Sequence, residues 1–167
     1  MSWLRLICLV GVALAVSACQ VRPLYAPTPD GVGALQALPA IEVDGPSSRP
    51  EQVFRNALIF AMRGGGEGAP ARYRLNFRVN LAEQELGIEP ITGTPASYQL
   101  RGSVSFVLRD AASDAVLIQD SATAVASYNR STQNFANIRA RRDAEDRVAE
   151  SLAQLVHVRL ASLFAER

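Results

Sequence analysis

Side chains able to carry chemistry are few in this chain, and their spacing decides what they can do. His157 is the only histidine. It falls beside Leu155 and Val156 in a C-terminal apolar pattern, with no nucleophile or acid spaced to work with it, so it reads as a structural or half-exposed residue. Asp143, Glu145, Asp146 and Glu150 lie close together, yet they alternate with Arg141, Arg142 and Arg147 at helical intervals that suit solvated ion pairs better than a metal. The run Gly64-Gly65-Gly66-Glu67-Gly68 follows a helical pattern instead of opening one, which is the wrong context for a phosphate-cradling loop. Cys8 and Cys19 lie within and at the end of an N-terminal apolar run, so the body of the protein has no thiol for catalysis, cross-linking or metal ligation. The sequence therefore predicts no catalytic site, no metal, no cofactor and no enzymatic activity.

Arginine remains. All 17 basic residues are arginines, offset by 16 acids to a formal charge of +1, a balance that argues against a general nucleic-acid binder. Arg72, Arg74 and Arg78 alternate with apolar residues in one segment, and Arg101 and Arg109 do so in the next, so all five point away from the predicted core. Singly, such residues solvate a sheet or discourage edge pairing. As a set they form a docking surface for a polar protein lumen or a phosphorylated glycolipid, because guanidinium forks suit phosphate and carboxylate oxygens. Arg72, Arg74, Arg78 and Arg101 are the candidate contacts.

The N-terminus reads as an export signal. Met-Ser-Trp-Leu-Arg precedes an apolar stretch from Leu6 to Val16, which is too short to span a bilayer, and Ser17-Ala18-Cys19 follows. Val16-Ser17-Ala18-Cys19 resembles the bacterial lipobox, in which the cysteine is acylated on sulfur and, after cleavage, on its new N-terminus. Several acyl chains on one residue hold a protein to a bilayer effectively for good, so Cys19 is the predicted anchor and its acyl chains the only non-protein groups. Gln20 stands where inner-membrane retention in enteric bacteria typically requires Asp, so the expected address is the periplasmic face of the outer membrane. The predicted organisation is a signal peptide over 1–18, a lipidated N-terminus and tether over 19–35, and a single domain over 36–167.

The elements that must position the arginines follow from periodicity. Leu38 to Val43 predicts a short first strand closed by Asp44-Gly45-Pro46. Ser48-Arg49-Pro50-Glu51 has capping-box spacing, and Val53, Phe54, Ala57, Leu58 and Ala61 recur helically up to the glycine stop. Tyr73, Leu75, Phe77, Val79 and Leu81 alternate strictly with polar residues. A loop around Gly87 to Pro95 separates this strand from a second one carrying Tyr98, Leu100, Val104, Phe106 and Leu108, and Asp110 to Asp114 turns the chain into a third from Val116 to Tyr128. Asp120 interrupts the apolar side of that last strand and predicts a bulge or a sheet edge. From about Ala136 to Phe164, Ala144, Val148, Leu152, Leu155, Val156, Leu160 and Leu163 form a helical stripe. The order β-α-β-β-β-α predicts an α+β two-layer sandwich: a four-stranded mixed sheet with two helices on one face.

Two stretches resemble a known family. Cys19-Gln20-Val21-Arg22-Pro23-Leu24-Tyr25 is similar to the Cys-Gly-Phe-x-Pro-Leu-Tyr start of LptE lipoproteins of the alphaproteobacterial type, with Gln20 replacing the usual glycine. Asn134-Phe135-Ala136-Asn137-Ile138-Arg139-Ala140-Arg141-Arg142-Asp143-Ala144-Glu145-Asp146-Arg147, followed by an amphipathic helix, is similar to that group's C-terminal signature. The resemblance implies a non-enzymatic lipoprotein that plugs and supports the β-barrel LptD, forming with it the translocon that places lipopolysaccharide at the cell surface, and that can bind lipopolysaccharide. The competing expectation is an auxiliary lipoprotein of another outer-membrane lipid-transport system.

Overall fold

The computed structural model describes residues 33–88 and 95–165. The stretch read as an export signal, Cys19 and most of the segment read as tether lie outside the described residues, as does the centre of the Gly87–Pro95 loop. The described chain begins with a short helix α1 (Ala34–Ala37), two residues inside the stretch read as tether, with Ala34 and Ala37 buried. Leu38–Ala40, expected as the first half of a strand, is instead a 3-10 turn. Pro39 fixes φ and has no N–H for a ladder, so β1 is only Ile41–Val43.

Helix α2 (Arg49–Arg63) starts at Ser48, whose hydroxyl accepts from Glu51 N–H, and ends at Gly64, which adopts φ 59°. That left-handed conformation carries no steric cost only for glycine. The expected capping box forms in one direction only. The Glu51 carboxylate accepts from Ser47 N (2.7 Å), Ser47 Oγ (2.5 Å) and Val79 N (3.2 Å), instead of turning back to Ser48 N–H. Burial pushes this carboxyl up, but the bonds from Ser47 and Val79 and the nearby Arg78 outweigh it and hold Glu51 below the ordinary glutamate value.

Three strands follow: β2 (Tyr73–Ile88), β3 (Pro95–Asp110) and β4 (Val116–Asn129). The sheet order is β1-β2-β3-β4, with β1 parallel to β2 (Ile41↔Tyr73) and the rest antiparallel (Phe77↔Phe106, Leu100↔Ala126). The turn after Asp110 places Asp114 at φ 56°, and the Asp110 carboxylate accepts from Ala112 and Ser113 N–H. The irregularity in the β3–β4 ladder falls beside Leu108 and Arg109, whereas Asp120 keeps regular pairing on an edge strand and meets Arg159 of the last helix.

Helix α3 (Asn134–Ala165) lies along β3 and β4, and α2 lies beside it over β2, where Phe54 meets Phe77 at 4.8 Å. Both helices cover one face of the sheet. Leu75, Leu100, Val104, Phe106 and Leu108 pack there against Phe54 and Leu58 of α2 and Val148, Leu152, Val156 and Leu160 of α3, all buried. The predicted α+β two-layer sandwich with a four-stranded mixed sheet and its helices on one face is the observed architecture, with α1 as an addition.

Candidate functional site

Strand parity puts the arginines where the sequence predicts them. Buried residues of β2 and β3 alternate with Arg74, Asn76, Arg78 and Asn80 on β2 and with Arg101, Ser103, Ser105 and Arg109 on β3, so these share the face that no helix covers. Gln119, Ser121, Thr123 and Val125 of β4 continue it. Arg72 stands just ahead of β2, with its guanidinium 5.8 Å from the centre of the Tyr73 ring, and belongs to the end of the sheet and not to the middle of the face.

The four in-strand arginines are not equivalent. Arg74 and Arg109 stand directly opposite each other, an arrangement that like charges disfavour. Each has an acid close by: Glu42 lies 3.9 Å from Arg74, and Asp114 lies 3.5 Å from Arg109. Arg78 and Arg101 are in no ion pair among the described residues; Arg101 opposes Ala82, four residues beyond Arg78, so their Cα atoms are about 14 Å apart. Between the Arg74–Arg109 pair and Arg101 lies an open trough of about 590 Å³ whose outer wall is formed by Asn76, Arg78, Ser105, Val107, Gln119 and Ser121. Short hydroxyl side chains opposite Arg78 leave its guanidinium room to bind an anionic group. Of the in-strand arginines only Arg78 lines this depression; the Arg74–Arg109 pair lies beyond one end of it and Arg101 beyond the other.

A second polar cluster sits on the helix-covered side at the far end of the sheet, where β2, β3 and β4 run past the core. Tyr98 and Tyr128 are cross-strand neighbours with stacked rings 5.3 Å apart. Tyr128 donates to Glu83 (2.8 Å), Arg130 donates to the Tyr98 oxygen (3.3 Å), and Arg141 pairs with Glu83 at 3.0 Å. With Asn134, Asn137 and Ile138 they line a hollow of about 210 Å³. Burial, then the Glu83 carboxylate, pushes the Tyr128 phenol up to about 12. Sequence reasoning read Tyr98 as an ordinary core-facing strand residue and missed this grouping. The available signal was the C-terminal signature itself: Asn137 exchanges hydrogen bonds with Ser131 N and O to fix the entry to α3, and Arg141 ties α3 to β2.

Among the described residues, no group of three His, Cys, Asp or Glu side chains is placed to hold a metal, and no helix is long and apolar enough to cross a membrane. His157 is half-buried in α3, and burial lowers its pKa. Asp143 pairs with Arg147 at 2.9 Å and Glu145 with Arg141 at 3.6 Å as expected, whereas Asp146 pairs with Arg49 of α2 at 2.8 Å and Glu150 is in no ion pair among the described residues.

Comparison with known proteins adds the following. The family model described as LptE, lipopolysaccharide-assembly, matches residues 38–160. A candidate lipoprotein from Caulobacter crescentus superposes with a TM-score of 0.67 at 27% identity, covering 80% of this chain and 97% of that one. The rare lipoprotein B from Shewanella oneidensis gives a TM-score of 0.55 at 16% identity over 74% of this chain and 92% of its own. A minor lipoprotein from Acinetobacter baumannii gives 0.52 at 20% identity over 73% and 88%. These last two share the fold. No curated protein matches significantly.

Proposed function

The chain belongs to the LptE family of lipopolysaccharide-assembly lipoproteins, and from that premise we propose that it is anchored through Cys19 to the periplasmic face of the outer membrane, where it plugs and supports the β-barrel LptD. It does so without catalysis. The observation that carries this reading is the uncovered sheet face, on which arginines, serines and amides outnumber the few apolar residues, Ala82, Val107 and Val125, too few to call for a third layer. Such a face suits the polar interior of a large outer-membrane barrel. Barrel carboxylates and lipopolysaccharide phosphates are the anionic groups that Arg74, Arg78 and Arg101 would meet, with Arg72 at the margin. Arg78 and Arg101 come first because no ion pair competes for them.

The test is co-purification. Affinity-tagged protein extracted in detergent is expected to carry a large β-barrel, and recovery of an inner-membrane transporter in its place would favour the alternative lipid-transport lipoprotein. The double variant Arg78→Glu, Arg101→Glu, with its fold verified by circular dichroism, is expected to retain barrel or lipopolysaccharide about tenfold more weakly, the loss of one charge-assisted contact. Unchanged retention of both would refute the role given to this face.

A further inference from the structure

The long axis of the domain has two unlike ends. Counting from Tyr73 to Ile88, the hairpin of β2 and β3 extends about 50 Å. At one end Tyr73 pairs with Ile41 and Asp110 and its ring meets Phe164 at 5.0 Å, the 64–72 connection bonds back to the first turn (Ala69 N to Pro39 O, Arg72 N to Ala40 O), and the described chain begins at Gly33. The most exposed large apolar side chains at this end are Leu35 on α1, 64% exposed, and Phe60 in the last turn of α2, 68% exposed, with Val116 of β4 at 50%. Beside Phe60 the chain runs Gly64-Gly65-Gly66-Glu67-Gly68-Ala69-Pro70-Ala71, with one charge in eight exposed residues. Phe135, 74% exposed at the start of α3, lies at the opposite end with Leu86 (51%) and Ile138 (47%), so the junction with the linker, more than apolar exposure, sets the two ends apart. The sheet between them presents the polar, arginine-bearing face.

We propose that the Leu35–Phe60 end rests on the lipid leaflet that receives the acyl chains of Cys19, with both side chains entering the interface. The proposal rests on the anchor reading of Cys19 and adds an orientation to it. Residues 20–32 join Cys19 to Gly33 and extend at most about 50 Å. Only a fully stretched linker equals the length of the hairpin, so the end that starts at Gly33 stays nearest the lipid. Tethering raises the local concentration of that end at the surface, so a small apolar contact suffices to orient the domain. Phe and Leu are side chains that enter the boundary between headgroups and acyl chains, and the nearly uncharged glycine-rich connection beside Phe60 opposes this little. The opposite end is then held away from the membrane surface, free to enter a partner.

Trp3 is the only tryptophan and precedes Cys19, so the mature chain has none and a single introduced indole reports its own surroundings. Acylated, barrel-free protein carrying Phe60→Trp is reconstituted into phosphatidylethanolamine–phosphatidylglycerol vesicles with brominated acyl chains, and Leu35→Trp and Phe135→Trp serve as a second reporter and a far-end control. The Phe60→Trp and Leu35→Trp indoles are expected to shift to the blue and lose about half their emission to bromine, as interfacial side chains buried a few ångströms do, while the Phe135→Trp indole is unquenched. Vesicle flotation separates the two layers of the claim. Protein that floats but shows no quenching at positions 35 and 60, or equal quenching at 135, overturns the orientation alone; protein that does not float overturns the anchor and the orientation with it.

Discussion

Arg101 and Gly102 are neighbours in β3 that point to opposite sides of the sheet, and they show how differently the two sides are built. Arg101 is exposed, with Ala82 and Val125 opposite it and Gln99 and Ser103 on either side along the same strand face. Gly102 is buried, and a Cβ there would overlap Val148 Cγ1 and come within 3.2 Å of Leu152 Cδ1, because α3 lies directly on the strand backbone. One side is close-packed and intolerant of a single methyl group; the other is open and set by charge. The largest expected effect follows. Gly102→Val should lift α3 from the sheet and cost more than about 3 kcal/mol in urea denaturation, whereas Arg101→Ala should stay within about 0.5 kcal/mol. Similar losses for the two variants would break the contrast.

Glu51 belongs to neither side. It is a buried carboxylate on α2 that holds the Ser47 turn and the Val79 amide of β2, so it joins α2 to the sheet through charge from within the core, whereas the Arg141–Glu83 and Arg159–Asp120 pairs that tie α3 to the sheet are more exposed. Glu51→Gln keeps the shape, weakens three bonds to an ionised acceptor, and is expected to cost about 1–3 kcal/mol at neutral pH. Because the folded value lies below the ordinary 4.5, the stability Glu51 contributes is fully present above 4.5 and is lost as pH falls through the folded value. The variant should therefore show a flatter acid limb in a pH series of thermal unfolding. An unchanged acid limb would mean that other carboxylates govern acid unfolding.

The strict alternation of Tyr73–Leu81 and the 3.6-residue stripe of α3 were legible because each element buries one face and its sequence repeats with its geometry. Placement of Arg74, Arg78 and Arg101 on a common uncovered face followed from the same parity. What was not legible depended on partners distant in sequence. Pro39 delays the start of the first strand to Ile41 through its ring and missing N–H, a local rule outweighed by the hydrophobicity of Leu38 and Ala40. Glu51 looked like a capping-box residue, and only the fold brings Val79 N–H within its reach. The acids that restrain Arg74 and Arg109 come from β1 and from the turn before β4, so alternation showed where the arginines point but not which of them lack an ion pair. Tyr98 and Tyr128 are separated by 30 positions, and their stacking depends on a register that no local pattern encodes.

The far-end cluster sharpens the contrast by a smaller amount, because it is polar yet on the helix-covered side. Tyr128 donates to Glu83, which also receives Arg141, so its phenol is held neutral by its surroundings and by the carboxylate it bonds. A folded value of about 12 against an ordinary 10 means that this contribution is present below 10 and lost as pH rises through about 12. Partial exposure screens the interaction, so Tyr128→Phe should cost about 1 kcal/mol or less at neutral pH. It should also flatten the alkaline limb of stability. Tyrosinate absorbance of the native protein is expected to include one late-titrating phenol that is missing from the variant. If the variant instead loses a phenol that titrates near 10, the bond to Glu83 does not govern Tyr128, and this end of the sheet behaves like the open face.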